Sequence, residues 1–242
     1  MTANAVRQSQ KAADAAVATQ VLAFLKQDFD TSFALRFMEE ASESHFYIFG
    51  GAVRNIAAGM RRVVDLDVMV DNSDNRIFNA LDRLSVPFCL NSQGHRRYKW
   101  NRLQIDIFEP KDFFVGFPSV EQALSFFDLR INALAIQVDT QELIDPISGL
   151  ACLNNSEVGI NWHRWNNSST EESLVLLIRL ARILTDIPKL CLSKYEVDTL
   201  EKCILPKVYD QSWHTVHNRF PLGKTEFFSF FEDLISKRTL AG

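Results

Sequence analysis

The chain has 242 residues and a hydrophobic fraction of 47%, enough for one or two packed domains and too apolar for a disordered tail. Its net charge of −4 at pH 7 excludes a surface coated for non-specific nucleic-acid binding, although basic clusters occur at Arg61-Arg62 and at Arg96, Arg97, Lys99 and Arg102. No apolar run is long enough to span a bilayer, so no membrane insertion is expected. The alanine-rich stretch from Ala12 to Leu25 is interrupted by Asp14 and Gln20, which does not suit a signal peptide. Cys89, Cys152, Cys191 and Cys203 lack C-x-x-C spacing and read as reduced, mostly buried thiols of a cytoplasmic protein. His214 and His217 stand three apart with no acidic or cysteine partner to complete a metal set.

In chain order, Val17, Val21, Phe24 and Leu25 predict a helix over Asn4 to Asp28, and a second helix is expected from Thr31, as N-cap, to Ala41. Phe46 to Phe49 is the first strand, GGAVRNIAAG turns into a short helix, and VVDLDVMV is the second strand. A helix follows from about Ser73 to Leu84, then short strands at Pro87–Leu90, Arg97–Trp100 and Leu103–Phe108, the last two joined by a tight turn at Asn101-Arg102. Val120 to Phe127 reads as helix, INALAIQV as a buried strand, and Glu142-Leu143-Ile144 as its return after a turn at Asp139-Thr140. Beyond a connection at 151–165, the helical period dominates: Leu174, Leu177, Ile178, Ala181 and Leu184 mark one long helix, with others at Tyr195–Ile204 and Thr225–Ile235. The expected class is α+β with a mostly antiparallel sheet. N-terminal helices (1–44) would pack on a head (45–150), followed by a short all-helical region (151–242).

The chemistry concentrates between Phe49 and Val70. Asp65 and Asp67 lie two apart in a strand and so share a face, while Val64, Leu66 and Val68 fill the other. Two adjacent carboxylates repel, and a cation offsets that cost. Hard oxygen ligands of this kind suit Mg²⁺, which is usually shared with substrate phosphates. The Gly50-Gly51 turn ahead of them can bring bare N–H groups to a phosphate.

These residues resemble the nucleotidyltransferase superfamily of DNA polymerase β-like proteins, in its branch of bacterial poly(A) polymerases and tRNA CCA-adding enzymes. That branch carries GGxVRD, a D-x-D strand, RRDFTINALA and ELIDPxxG. The matching blocks here are Gly50 to Asn55, Asp65-Leu66-Asp67, Asp128 to Ala135, and Glu142 to Gly149. The resemblance covers roughly residues 35 to 185, and the helical end is similar to a shortened neck, without the longer body that complete tRNA-modifying members carry.

It implies transfer of a nucleotide from a nucleoside triphosphate, with two Mg²⁺ ions (or Mn²⁺) held by catalytic Asp65, Asp67 and Asp106, the last alternating with Leu103, Ile105 and Ile107 on a neighbouring strand. Gly50, Gly51, Arg54, Asp128, Arg130 and Asn132 are the implied nucleotide-binding residues, with Asp128 against the sugar. Three positions depart from the pattern: Asn55 replaces the aspartate of GGxVRD, Phe126 and Phe127 replace two arginines, and Arg130 replaces a threonine. The E-D-x-x-R segment that reads the base aligns with Glu171 to Val175, and valine offers no hydrogen-bond donor. Arg179 or Arg182 would substitute only with a shift of register.

The expected function is template-independent nucleotidyl transfer to a hydroxyl acceptor, an RNA or DNA 3′ end, in a stand-alone enzyme of toxin or phage-defence type. Alternatives are a degenerate nucleotide- or partner-binding module, or a true CCA-adding or poly(A) polymerase head. Phe227, Phe228, Phe230 and Phe231 read first as core of the last helix, but they point around more than one face, which leaves some of them for a protein partner or a second copy.

Overall fold

β-Branched and aromatic residues recur in short runs between Phe46 and Ile144, and in the computed structural model these runs form one seven-stranded sheet. The structure describes residues 3–40, 44–71, 76–83, 85–90, 94–112, 116–209 and 223–240. His214, His217, Ala41 and the ends of the helix expected from Ser73 to Leu84 lie outside them. The strands are β1 (His45–Phe49), β2 (Asp65–Asp71), β3 (Phe88–Leu90), β4 (Arg96–Trp100), β5 (Leu103–Phe108), β6 (Ala135–Gln137) and β7 (Leu143–Ile144). They lie in the order β3-β4-β5-β2-β1-β6-β7. Every neighbouring pair is antiparallel except β2 and β5, which run parallel. The α+β class with a mostly antiparallel sheet is therefore the observed one.

Alternation gives the sheet an apolar face that carries Leu66, Val68, Ile105 and Ile107, all buried. Helices α1 (Ala3–Leu25) and α2 (Phe29–Glu40) precede the sheet, and Phe33 of α2 stacks on Trp100, ring centroids 4.0 Å apart. Phe33 and Phe37 line a small apolar cavity with Tyr98, Ile105 and Ile107, so α2 covers this face. Thr31 is not the cap of α2. The helix starts at Phe29 because the Asp28 carboxylate accepts from the N–H groups of Asp30 and Thr31, at 3.0 and 3.3 Å, while the Thr31 hydroxyl donates back to the Leu25 carbonyl.

Helices α3 (Gly51–Ala57), α4 (Arg76–Arg83) and α5 (Val120–Ser125) connect the strands. INALAIQV is not one continuous strand. Arg130–Asn132 wind into a 3₁₀ turn and pairing begins at Ala135, because the buried Asn132 amide is used as an acceptor by Arg54 rather than aligned with a ladder. The segment ELIDP ends in a cap: Asp145 accepts from the N–H groups of Gly149 and Leu150, at 2.6 and 3.0 Å, and starts α6 (Gly149–Asn154).

The chain divides into two compact units, residues 1–125 with 131–150, and 126–130 with 151–242. In the second unit α7 (Trp162–Asn166) leads to α8 (Thr170–Asp186), whose periodic residues Leu174, Leu177, Ile178, Ala181 and Leu184 are all buried. Ser169 and Glu172 form a capping box at its start. The helix expected at Tyr195–Ile204 is α9 (Lys194–Thr199) followed by a π-turn at Leu200–Ile204 and then α10 (Leu205–Tyr209). In α11 (Lys224–Lys237), Phe227, Phe228 and Phe231 are buried within the chain itself and Phe230 is half-buried. Of the cysteines only Cys152 is buried; Cys191 is half-buried, and Cys89 and Cys203 are exposed, so burial is less than the sequence suggested. Among the described residues no helix is long and apolar enough to cross a membrane.

Gly159 holds φ at +70°, and a Cβ there would stand 2.5 Å from the Cys152 sulfur and 2.9 Å from Cδ of Arg130. Its carbonyl accepts from the Arg130 N–H at 2.7 Å. Gly159→Ala combines a left-handed backbone with overpacking, so a loss of about 2 kcal/mol or more is expected in urea denaturation.

Candidate active site

The turn after β1 depends on Gly50, whose φ of +69° a side chain would strain. Its N–H donates to the Leu134 carbonyl at 3.2 Å and its carbonyl accepts from the Arg54 N–H at 3.0 Å. A Cβ on Gly50 would sit 3.4 Å from Oδ2 of Asp67, so the bare backbone of this turn lies directly against the acid. Of the two glycines, therefore, only Gly51 has an N–H not taken up by Leu134.

Arg54 projects from α3 and donates through Nε and Nη2 to Oδ1 of Asn55, at 3.0 and 2.8 Å, and through Nη1 to Oδ1 of Asn132 at 2.5 Å. Asn55 thus supplies an uncharged acceptor at the position where the GGxVRD pattern has an aspartate. Both of these acceptors are neutral amides.

Strand register assembles the carboxylates. Asp67 of β2 is the partner of Asp106 of β5 and of Phe49 of β1, and Asp65 is the partner of Gln104. Direct partners share a face, so Asp106, Asp67 and, two residues along, Asp65 lie on one side of the sheet. Asp65 is exposed, Asp67 half-buried and Asp106 buried. The row continues through Arg97 of β4 to Cys89 of β3.

Arg97 meets Asp106 in a two-pronged pair, Nε to Oδ1 at 2.7 Å and Nη2 to Oδ2 at 2.6 Å. Hydrogen bonding to Asp106 is the main cause that raises the Arg97 pKa above its ordinary value, and the charge of Asp67 adds to it. The sequence grouped Arg97 with a surface basic cluster. Counting outward from the Asn101-Arg102 turn puts position 97 opposite 106, so this pair was readable in principle. The other members differ: Arg96 pairs with Asp82 at 3.3 Å and lies 4.8 Å over the Phe88 ring, while Arg61, Arg62 and Arg102 line a separate cleft of about 390 Å³.

Among the described residues no three His, Cys, Asp or Glu side chains converge tightly enough to hold an ion by themselves. The donor set nevertheless fits Mg²⁺ at Asp65 and Asp67, because that ion takes one or two carboxylates and completes its shell with water and substrate phosphates.

Asp128 and Arg130 belong to the second unit, whereas Asn132 supports Arg54 in the first. The Asp128 side chain is only 3% exposed: Oδ2 accepts from Nη1 of Arg179 at 2.6 Å, Oδ1 accepts from the Leu129 N–H at 2.9 Å, and its carbonyl accepts from Nε1 of Trp165 at 2.9 Å. Arg179 stands one helical turn beyond the half-buried Val175 and reaches Asp128. No local signal in the sequence links these two residues.

The fold recurs in solved proteins. The chain superposes on a tRNA-processing enzyme with TM-score 0.64 at 21% identity, over 86% of this chain and 56% of that one. It superposes on a CCA-adding enzyme in complex with CTP with TM-score 0.63 at 17% identity, over 88% of this chain and 55% of that one. A tRNA nucleotidyltransferase complexed with a primer tRNA and an incoming ATP analogue gives TM-score 0.63 at 21% identity, over 84% of this chain and 60% of that one. The chain has the fold of these enzymes and spans a little over half their length. By sequence, no protein-family model and no curated protein matches it.

Two outcomes follow from this geometry. Gly50→Ala is expected to lower stability by about 1–2 kcal/mol, from the left-handed backbone, and to reduce any activity that needs Asp67 in place. Urea denaturation beside a turnover assay measures both. Glu172, in the segment expected to align with the base-reading one, accepts from the Ser169 N–H at 2.7 Å and from Arg164 Nη2 at 3.0 Å. These bonds, the backbone one first, lower its pKa from the ordinary value. A folded carboxylate that titrates lower than in the unfolded chain stabilises fully above the unfolded pKa, and that stability is lost as pH falls through the folded one. Glu172→Gln should therefore flatten the acid side of the stability profile below about pH 4.3, read by denaturation across that range.

Proposed function

We propose that this chain is a metal-dependent, template-independent nucleotidyltransferase that moves a nucleoside monophosphate from a nucleoside triphosphate to the 3′ hydroxyl of a nucleic acid, releasing pyrophosphate. The observation that carries this reading is the register that places Asp67 beside Asp106, with Asp65 on the same face and Gly50 against Asp67. Support also comes from the proteins that share the fold, which include one in complex with CTP and one with a primer tRNA and an incoming ATP analogue.

Asp65 and Asp67 would hold Mg²⁺, or Mn²⁺ in its place, and the bound ion supplies positive charge for in-line displacement at the α-phosphorus. Arg54, oriented by Asn55 and Asn132, would bring a guanidinium to the triphosphate. The Gly51 N–H offers a phosphate donor beside it. Asp106, held in position by Arg97, closes the row of acids.

Nucleotide choice is expected to be loose. Val175 presents no donor to a base edge, and Asp128 is engaged by Arg179. One preferred nucleotide set by shape, or use of several, is the expected pattern rather than ordered C-C-A addition.

The test is incubation of the protein with each labelled triphosphate and Mg²⁺, with and without RNA or DNA primers, resolved on a gel. Asp65→Ala and Asp67→Ala should each lower incorporation by about 10³-fold or more, and chelation of the metal should abolish it. Full incorporation by the double variant overturns the reading. Clean, terminating C-C-A addition to a tRNA lacking its end overturns the loose-choice part alone.

A further inference from the structure

Asp106 is the most buried of the three acids, its side chain 8% exposed, and both its oxygens accept from Arg97. The contact is a fork-to-fork pair of two short charge-assisted bonds, the geometry that favours arginine over any other cation-bearing side chain. It is also set by the backbone, since Arg97 and Asp106 are direct partners in the β4–β5 hairpin and cannot drift apart without loss of register. Asp67 is the register partner of Asp106 on its other side and so stands on the same face as Arg97. A divalent ion at Asp106 would have to approach this guanidinium against like-charge repulsion, or displace it and leave a nearly buried carboxylate to be satisfied anew.

We propose that Arg97 is the second cation of this site: it occupies Asp106, so that the acids take one divalent ion, on Asp65 and Asp67, instead of two. The proposal rests on the nucleotidyl-transfer reading of these acids. Arg97 acts here through Asp106, which makes it a positioning residue. Its charge, more than its bulk, is what excludes a second ion.

The test counts ions rather than turnover. The full chain is titrated with Mn²⁺ in the presence of α,β-methylene ATP, and bound Mn²⁺ per chain is read by electron paramagnetic resonance, together with any coupling between two bound ions. Wild type should bind one uncoupled Mn²⁺, as should Arg97→Lys, which keeps the charge. Arg97→Met, which keeps bulk and loses charge, should bind two coupled ions, with thermal melts confirming that it is folded. Two coupled ions in wild type overturn the proposal, as does a single ion in a folded Arg97→Met. Asp65→Asn is the control for the underlying reading: if wild type binds no Mn²⁺, or if Asp65→Asn leaves binding unchanged, the acids are not a metal site and the nucleotidyl-transfer reading falls with the proposal.

Discussion

The one parallel pairing in the sheet, β2 beside β5, is what brings Asp67 and Asp106 together from distant parts of the chain. A parallel neighbour cannot be reached by a tight turn, so the chain passes through α4, β3 and β4 before it returns. Buried Leu66 and Val68 on β2, with Ile105 and Ile107 on β5, fix the register, because a slip of one residue would turn this apolar set toward the acids' face and the acids toward the core. The hydrophobic face therefore specifies the polar one. The arrangement of charge is a by-product of how the core packs.

Two arginines have different partners here. The Arg54 guanidinium donates to the amide oxygens of Asn55 and Asn132, which orient it. Arg97 is bound by a carboxylate, which orients it and neutralises it, and it completes an acid that would otherwise be buried without a counter-charge. Asn55 in place of an aspartate keeps an acceptor for Arg54 without adding a negative charge.

Much of this was legible in the sequence where a short-range pattern carried it. Alternation in VVDLDVMV located β2 and the shared face of its acids, Asn101-Arg102 located the β4–β5 hairpin, and the helical period over Leu174 to Leu184 located α8. Misplacements came where a polar side chain overrode propensity: Asp28 captured the α2 N-terminus from Thr31, and the Asn132 amide turned INALA away from a strand. The π-turn at Leu200–Ile204 has no sequence signature in its apolar pattern. The Asp128–Arg179 contact spans 51 positions and depends on the packing of a whole helix, which no local rule conveys.

The hairpin at Asn101-Arg102 has a consequence for how such a site changes over generations. Asn101, at φ +50°, lies in an exposed turn, the part of a fold where insertions and deletions are tolerated best. A residue gained there would be absorbed in the loop, because Tyr98 is buried and Trp100 stacks on Phe33, and a one-residue slip of β4 would turn both out of the core. The length of this turn is therefore free to drift over generations while Arg97 stays opposite Asp106.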